Sequence, residues 1–154
     1  PSKGERNFHL FYHMLSGASK EEQKLLKLLP LCNDYSYTSG DTKTAPGIDD
    51  AAEWAAVHER LELLGHDKKA REALFRVVSA VLAIGNITFK EAANPAGAEG
   101  AHDVAGEDAL KLAAELLEVV PNSLRAKLTT RVLGTKGSTY TLPLTNEQCV
   151  ETRD

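Results

Sequence analysis

His9 and His13 stand four apart on a helical pattern, so both project from one face and could grip a single metal ion. The glutamate that a zinc protease places between such histidines is absent, and no third ligand is spaced to help, so no metal is expected. They read instead as two helix histidines partly packed against neighbours. Cys32 and Cys149 lie far apart without metal-ligand spacing, and two cysteines are too few for a disulfide framework, which fits a reducing cytosol. Glu5 and Arg6, adjacent and just ahead of the first helix, read as a capping and surface pair worth under about 1 kcal/mol. Near the other end, Arg131 and Lys136 are two cations on a short glycine-bearing stretch, and Gly137-Ser138 is turn chemistry with an accessible hydroxyl. No Gly-x-x-x-x-Gly-Lys-Thr loop supplies amides and a lysine for phosphates or a hydroxyl for magnesium. No catalytic residue is assigned.

With 154 residues, 42% hydrophobic, the chain is long enough for one ordinary core. A net charge of −4 offers no broad basic surface, so nucleic acid and direct membrane contact are not expected. No apolar run approaches the roughly 20 residues needed to span a bilayer. Pro1-Ser2-Lys3 has no apolar stretch like a signal peptide, and it reads as a cut or a linker.

The elements that position these residues are punctuated clearly. Phe8, Phe11, Tyr12 and Leu15 fall at i, i+3, i+4 and i+7, one stripe of a first helix, which Leu10 and Met14 widen. Ser19-Lys20-Glu21-Glu22 is a capping box opening a short helix through Leu25, Leu26, Leu28 and Leu29 that Pro30 ends. Asp50-Ala51-Ala52-Glu53 repeats the device before Trp54, Val57, Leu61 and Leu64, and Gly65 is a natural C-terminal cap. Asp67 starts a long helix to Gly85, apolar on more than one face through Leu74, Val77, Val78, Val81, Leu82 and Ile84, and so a candidate for the centre of the core. Ile87 to Phe89 alternates like a short strand. Residues 90–107 hold six alanines, three glycines and a proline and read as a mobile surface loop. Helix resumes at Glu107, and Pro121 suits the first turn of another. Residues 131–144 are β-branched with central glycines and read as a hairpin-like loop, after which Thr145 caps a helix that the chain hardly begins. The expected fold is mainly α: about six helices, a short strand near Ile87 to Phe89 and a β-like hairpin near Val132 to Leu142. Its expected core is Phe8, Phe11, Leu15, Trp54, Leu61, Leu74, Val78, Val81, Leu110 and Leu117.

Five tracts carry a further reading: GERNFHLFYHMLSGAS, GIDDAAEWAAVHERLELLGH, ALFRVVSAVLAIGNITF, LRAKLTTRVLGTKGSTYTLPL and NEQCVETRD. In order and spacing they resemble successive parts of a myosin motor head, and the first and fourth look most like single-headed class I myosins. The resemblance implies a single piece, residues 1–154, from the upper fifty-kilodalton subdomain, which forms one wall of the actin-binding cleft. The chain departs from the family at His13, where Gln is usual, at His66, where Phe is common, and at Tyr35 to Gly40, where Leu-Asn-Gln usually precedes Ser-Gly. Neither Asn-x-Asn-Ser-Ser-Arg nor Asp-x-x-Gly-Phe-Glu, the family's nucleotide switches, occurs in the chain.

Several roles follow from that resemblance as expectations. The parent would be an actin-activated ATPase using ATP and magnesium, whereas this piece would carry no cofactor and hydrolyse nothing alone. Its partners would be the actin filament and the remainder of the motor head, in the cytoplasm on the cytoskeleton. Arg131, Val132, Leu133, Lys136 and Tyr140 would form the actin-facing hairpin, the cations steering toward an acidic filament. The 90–107 stretch matches another surface loop that faces actin. Ser138 falls where myosins carry an acidic residue or a phosphorylatable Ser or Thr, and phosphate would add close to two negative charges. Glu5, Arg6 and Asn7 would support the switch loop expected just upstream. The competing reading is a free-standing helical interaction or scaffold domain with no motor.

Overall fold

The computed structural model describes residues 4–92, 101–135 and 138–154. Seven α-helices and two antiparallel strand pairs occur among them, so the fold is mainly α as expected. The chain divides into two compact units, Pro1–Leu82 and Ala83–Asp154.

The first unit holds α1 (His9–Gly17), α2 (Lys20–Leu25), two short 3-10 turns, α3 (Asp50–Leu63) and most of α4 (Lys68–Gly85). Its core gathers Phe11, Tyr12, Met14, Leu26, Tyr35, Trp54, Phe75 and Leu82. Helix α1 packs on α3 closely because Gly17 has no side chain: a Cβ there would lie 2.4 Å from Trp54 Cβ. The Ser19 and Glu22 capping box forms as the sequence implies. Helix α2 stops earlier than its leucines suggest, since Lys27 takes a left-handed φ of 51° and Leu28 N donates back to Gln23 O. Gly65, at φ 88°, ends α3 in the same way, with His66 N donating to Leu61 O. Buried Tyr35 accepts from Leu29 N through its hydroxyl at 2.7 Å, and Ser79 Oγ donates to Leu26 O at 2.7 Å. The backbone beyond α2 is thereby satisfied inside the core.

Three expected core residues are corrected. Phe8 is 75% exposed, because it is the cap residue of α1 and touches Phe11 only edge-on. Leu74 and Val81 are exposed as well, along with Val77. Helix α4 carries two apolar stripes, and the one it buries is Phe75, Ser79, Leu82 and Ala83, where small residues let neighbours approach. Leu15, Leu61 and Val78 pack half-buried at the core edge, and Leu117 is half-buried while its neighbour Leu116 is fully covered. The cap of α3 also moves: Asp49 accepts from Ala51 N and Ala52 N, which frees Asp50 for another role.

The second unit runs β1 (Phe89–Glu91), β2 (His102–Val104), α5 (Glu107–Leu116), α6 (Pro121–Thr129), β3 (Thr130–Thr135), β4 (Ser138–Pro143) and α7 (Asn146–Arg153). Strands β1 and β2 pair antiparallel with Phe89 opposite Val104. The expected strand thus begins at Phe89 rather than Ile87, which is buried. Within the 90–107 stretch, residues 90–91 and His102–Val104 are paired strand and Glu107 already begins α5, while residues 93–100 lie outside the described residues. Helix α7 is a full eight residues, opened by a second capping box between Thr145 and Gln148. Ile87, Val104, Leu110, Ala113, Ala114, Leu116, Leu128, Leu144 and Cys149 are among the residues buried here. Cys32 and Cys149 are both free thiols.

Candidate functional site

Two places gather the residues singled out above, one in each unit. In the first, Arg6 sits just ahead of α1 with its side chain only 2% exposed. Its Nη1 donates to Asp50 Oδ2 at 2.7 Å and to Lys43 O at 3.1 Å, and its Nη2 donates to Asp50 Oδ1 at 2.8 Å. The guanidinium lies over the Tyr12 ring, 4.6 Å from its centroid. His13 Nδ1 is 2.8 Å from Asp50 Oδ1, so the tautomer with its hydrogen on Nδ1 donates there. The Arg6 guanidinium first, and His13 after it, hold the Asp50 carboxyl below its ordinary value against the burial that would raise it.

Arg6 is therefore not a surface charge. It is one arm of a two-pronged buried pair, while the adjacent Glu5 is exposed. Asn7 completes the turn, its amide side chain donating to Tyr37 O at 3.0 Å and its backbone N–H reaching Tyr12 Oη. Beside them opens a cleft of about 450 Å³ lined by Tyr37, Ser39 and Asp41 among others. Sequence reasoning missed Asp50 as the shared partner of Arg6 and His13. The available signal was the pair Asp49-Asp50, since one helix start needs one capping carboxylate and leaves the other to be explained. Among the described residues no three His, Cys, Asp or Glu side chains converge as a metal site, and His9 and His13 meet only edge to face, 6.0 Å between ring centroids.

The second place is the β3–β4 hairpin. Its register runs from Thr130 opposite Pro143 to Thr135 opposite Ser138. Residues facing each other share a side of the ribbon, so Arg131, Leu133, Tyr140 and Leu142 lie on one face and Val132 on the other. Val132, Leu133 and Tyr140 are 59%, 46% and 58% exposed, and Arg131 is exposed too. Ser138 opens β4, and Lys136 lies outside the described residues. The structure thus brings Arg131, Leu133 and Tyr140 together and turns Val132 away. An apolar, cation-bearing face of this kind, left to water, is the composition of a contact surface.

The sequence profile described as myosin head (motor domain) matches residues 1–154. The chain belongs to the myosin head family. Among the relatives of this myosin head chain, "Myosin-1" of Malassezia globosa is 33% identical over 99% of the chain and 12% of its own length. "Unconventional myosin IC" of Drosophila melanogaster is 35% identical over 98% of the chain and 14% of its own length. "Unconventional myosin-Ib" of Rattus norvegicus reaches 44% over a shorter stretch, 57% of the chain and 8% of the relative. These names are class I names, as the sequence tracts suggest. The chain spans about an eighth of the length of the first two of these relatives.

Proposed function

We propose that this chain is part of the upper wall of the actin-binding cleft in an actin-based, ATP-driven motor, and that its β3–β4 hairpin faces the filament. The observation that carries this reading is the exposed hairpin face, where Arg131 stands among Leu133, Tyr140 and Leu142. Apolar side chains supply contact area once desolvated, while Arg131, together with Lys136, steers toward an acidic surface. ATP and magnesium are assigned to the parent motor and not to this piece. We assign to the Arg6–Asp50–His13 junction, whose buried pair ties the turn before α1 to the start of α3, the passing of cleft movement to a switch loop upstream of Glu5, Arg6 and Asn7. Ser138, at the start of β4, is the proposed phosphorylation site that tunes filament contact. The setting is the cytoplasmic cytoskeleton; no described helix is long and apolar enough to cross a membrane.

The test is cosedimentation with actin filaments using the complete motor that contains this chain. Arg131→Glu weakens filament affinity and flattens its dependence on salt, because one steering charge is reversed. Tyr140→Ser weakens it without changing the salt slope. Ser138→Asp exceeds Ser138→Ala in actin-activated ATP turnover. Affinities and turnover equal to the parent's in all of these variants would overturn the motor reading in favour of a free-standing helical scaffold.

A further inference from the structure

The hairpin leaves directly from the end of α6; its two feet are bonded to each other, and one of them is bonded in turn to the neighbouring strand β2. At one foot Thr129 O accepts from Leu144 N at 2.8 Å, and Thr129 Oγ1 donates back to Arg125 O at 2.9 Å. At the other foot Leu144 O accepts from His102 N of β2 at 3.0 Å. One residue along β2, Asp103 accepts Arg125 Nη1 at 2.7 Å through Oδ1, while Arg125 Nη2 pairs with Glu107 in the first turn of α5. Arg125 lies one turn before the end of α6. Its single planar fork therefore joins three elements, α6, β2 and α5, at the root of the ribbon.

We propose that Arg125 is a positioning residue for the hairpin: by clamping α6 to Asp103 and Glu107 it fixes the direction in which β3 and β4 project, and with it the attitude of the Arg131, Leu133 and Tyr140 face. That this face meets actin rests on the function proposed above; the clamp itself does not. All three side chains of the clamp stay in reach of water, at 23% exposure for Arg125, 43% for Asp103 and 49% for Glu107. Such pairs add little to global stability. What a two-carboxylate fork constrains is orientation, because a guanidinium satisfies both partners at one angle only. Asp103 is engaged twice, since its Oδ1 also accepts from Val104 N at 2.7 Å. Burial would raise its carboxyl, but Arg125 and the Val104 amide bring it below the ordinary value, so Asp103 is ionised at neutral pH. Glu107, at the N-terminal turn of α5, is also where the helix dipole favours a negative charge.

The experiment uses the complete motor with Arg125→Gln, Arg125→Lys and, as control, Arg131→Glu. Hydrogen exchange followed by mass spectrometry is read first, without actin. Arg125→Gln speeds exchange in β3, β4 and at Leu144 and His102 while α1 and α3 keep their protection; Arg125→Lys, able to hold one carboxylate at a time, falls between. Actin-activated turnover is read second. Arg125→Gln raises the actin concentration for half-maximal activation by about two- to fivefold, the range open to a partly exposed ion-pair network, with turnover at saturating actin retained and Arg125→Lys again intermediate. Unchanged exchange in the hairpin, or a rise spread evenly over both units, overturns the clamp. Should Arg131→Glu leave the actin dependence untouched, the actin reading falls, and the exchange pattern alone decides whether Arg125 positions the ribbon.

Discussion

Asp50→Asn isolates the buried pair at the entrance to α1. The substitution keeps the shape and an acceptor oxygen but removes the charge that Arg6 faces, with the Arg6 side chain 2% exposed and Asp50 13% exposed. Removing one partner of a buried pair costs about 3–5 kcal/mol, since the remaining charge stays desolvated. The Tyr12 ring and the Lys43 carbonyl remain in place to hold the guanidinium, so the lower end applies, about 3 kcal/mol. With a urea slope of about 1–3 kcal/mol per molar, the midpoint falls by roughly 1–3 M. The assay is built in: Trp54 is the sole tryptophan and sits buried in the core of the same unit, so its fluorescence reports that unit. Asp49→Asn is the matched control, because Asn caps a helix as well as Asp does and the change should be nearly neutral. A shift under about 0.3 M for Asp50→Asn would put the pair among exposed bridges worth at most about 1 kcal/mol. Equal shifts for the two variants would refute the assignment of their roles.

Acid titration checks the same pair: the folded-state carboxyl of Asp50 is depressed, so its stabilisation is complete above the unfolded value near pH 3.9 and disappears as the pH falls from there through the lower folded value. The gap between parent and Asp50→Asn in Trp54-monitored urea midpoints therefore closes only below about pH 4. Gly17→Ala places a methyl 2.4 Å from Trp54 Cβ, forcing α1 and α3 apart at about 1–3 kcal/mol and altering Trp54 emission. Leu82→Ala, at a fully covered position, lowers the denaturation midpoint by the equivalent of about 2–5 kcal/mol, whereas Val81→Ala next to it changes stability by less than about 1 kcal/mol.

Local chemistry was readable in the sequence, and long-range choice was not. The Ser19 and Thr145 capping boxes, the left-handed end at Gly65 and the Pro121 helix start all depend on neighbours within a few residues, and each forms where expected. The β3–β4 hairpin was visible for the same reason. Helix α4 shows the limit: Leu74, Val77 and Val81 make as good a stripe as Phe75, Ser79 and Leu82, and periodicity has no means to say which one neighbours will cover. Strand β2 escaped notice because His102-Asp103-Val104 has little β character of its own and acquires it by pairing with Phe89–Glu91. At the candidate site, Arg131, Leu133 and Tyr140 were named through the family resemblance, with Val132 beside them, and the strand register alone sorts the first three onto one face and Val132 onto the other. The partner of Arg6 was not legible, since nothing local links residue 6 to residue 50 and Asp50 also resembles a cap.

That link has a consequence in time. Arg6 and Asp50 are 44 positions apart, and closing a loop of that length costs about 3 kcal/mol of chain entropy before the pair returns anything. Helices α1 and α2 and their caps can form within their own neighbourhoods while the pair cannot. We expect it to join with or after the meeting of α1 and α3 around Gly17 and Trp54, since that contact spans a loop of similar length and brings residues 6 and 50 within reach. Its loss is then felt mainly as faster unfolding, with the refolding rate little altered, so the pair acts as a latch on the lifetime of the folded unit more than as a guide to its assembly.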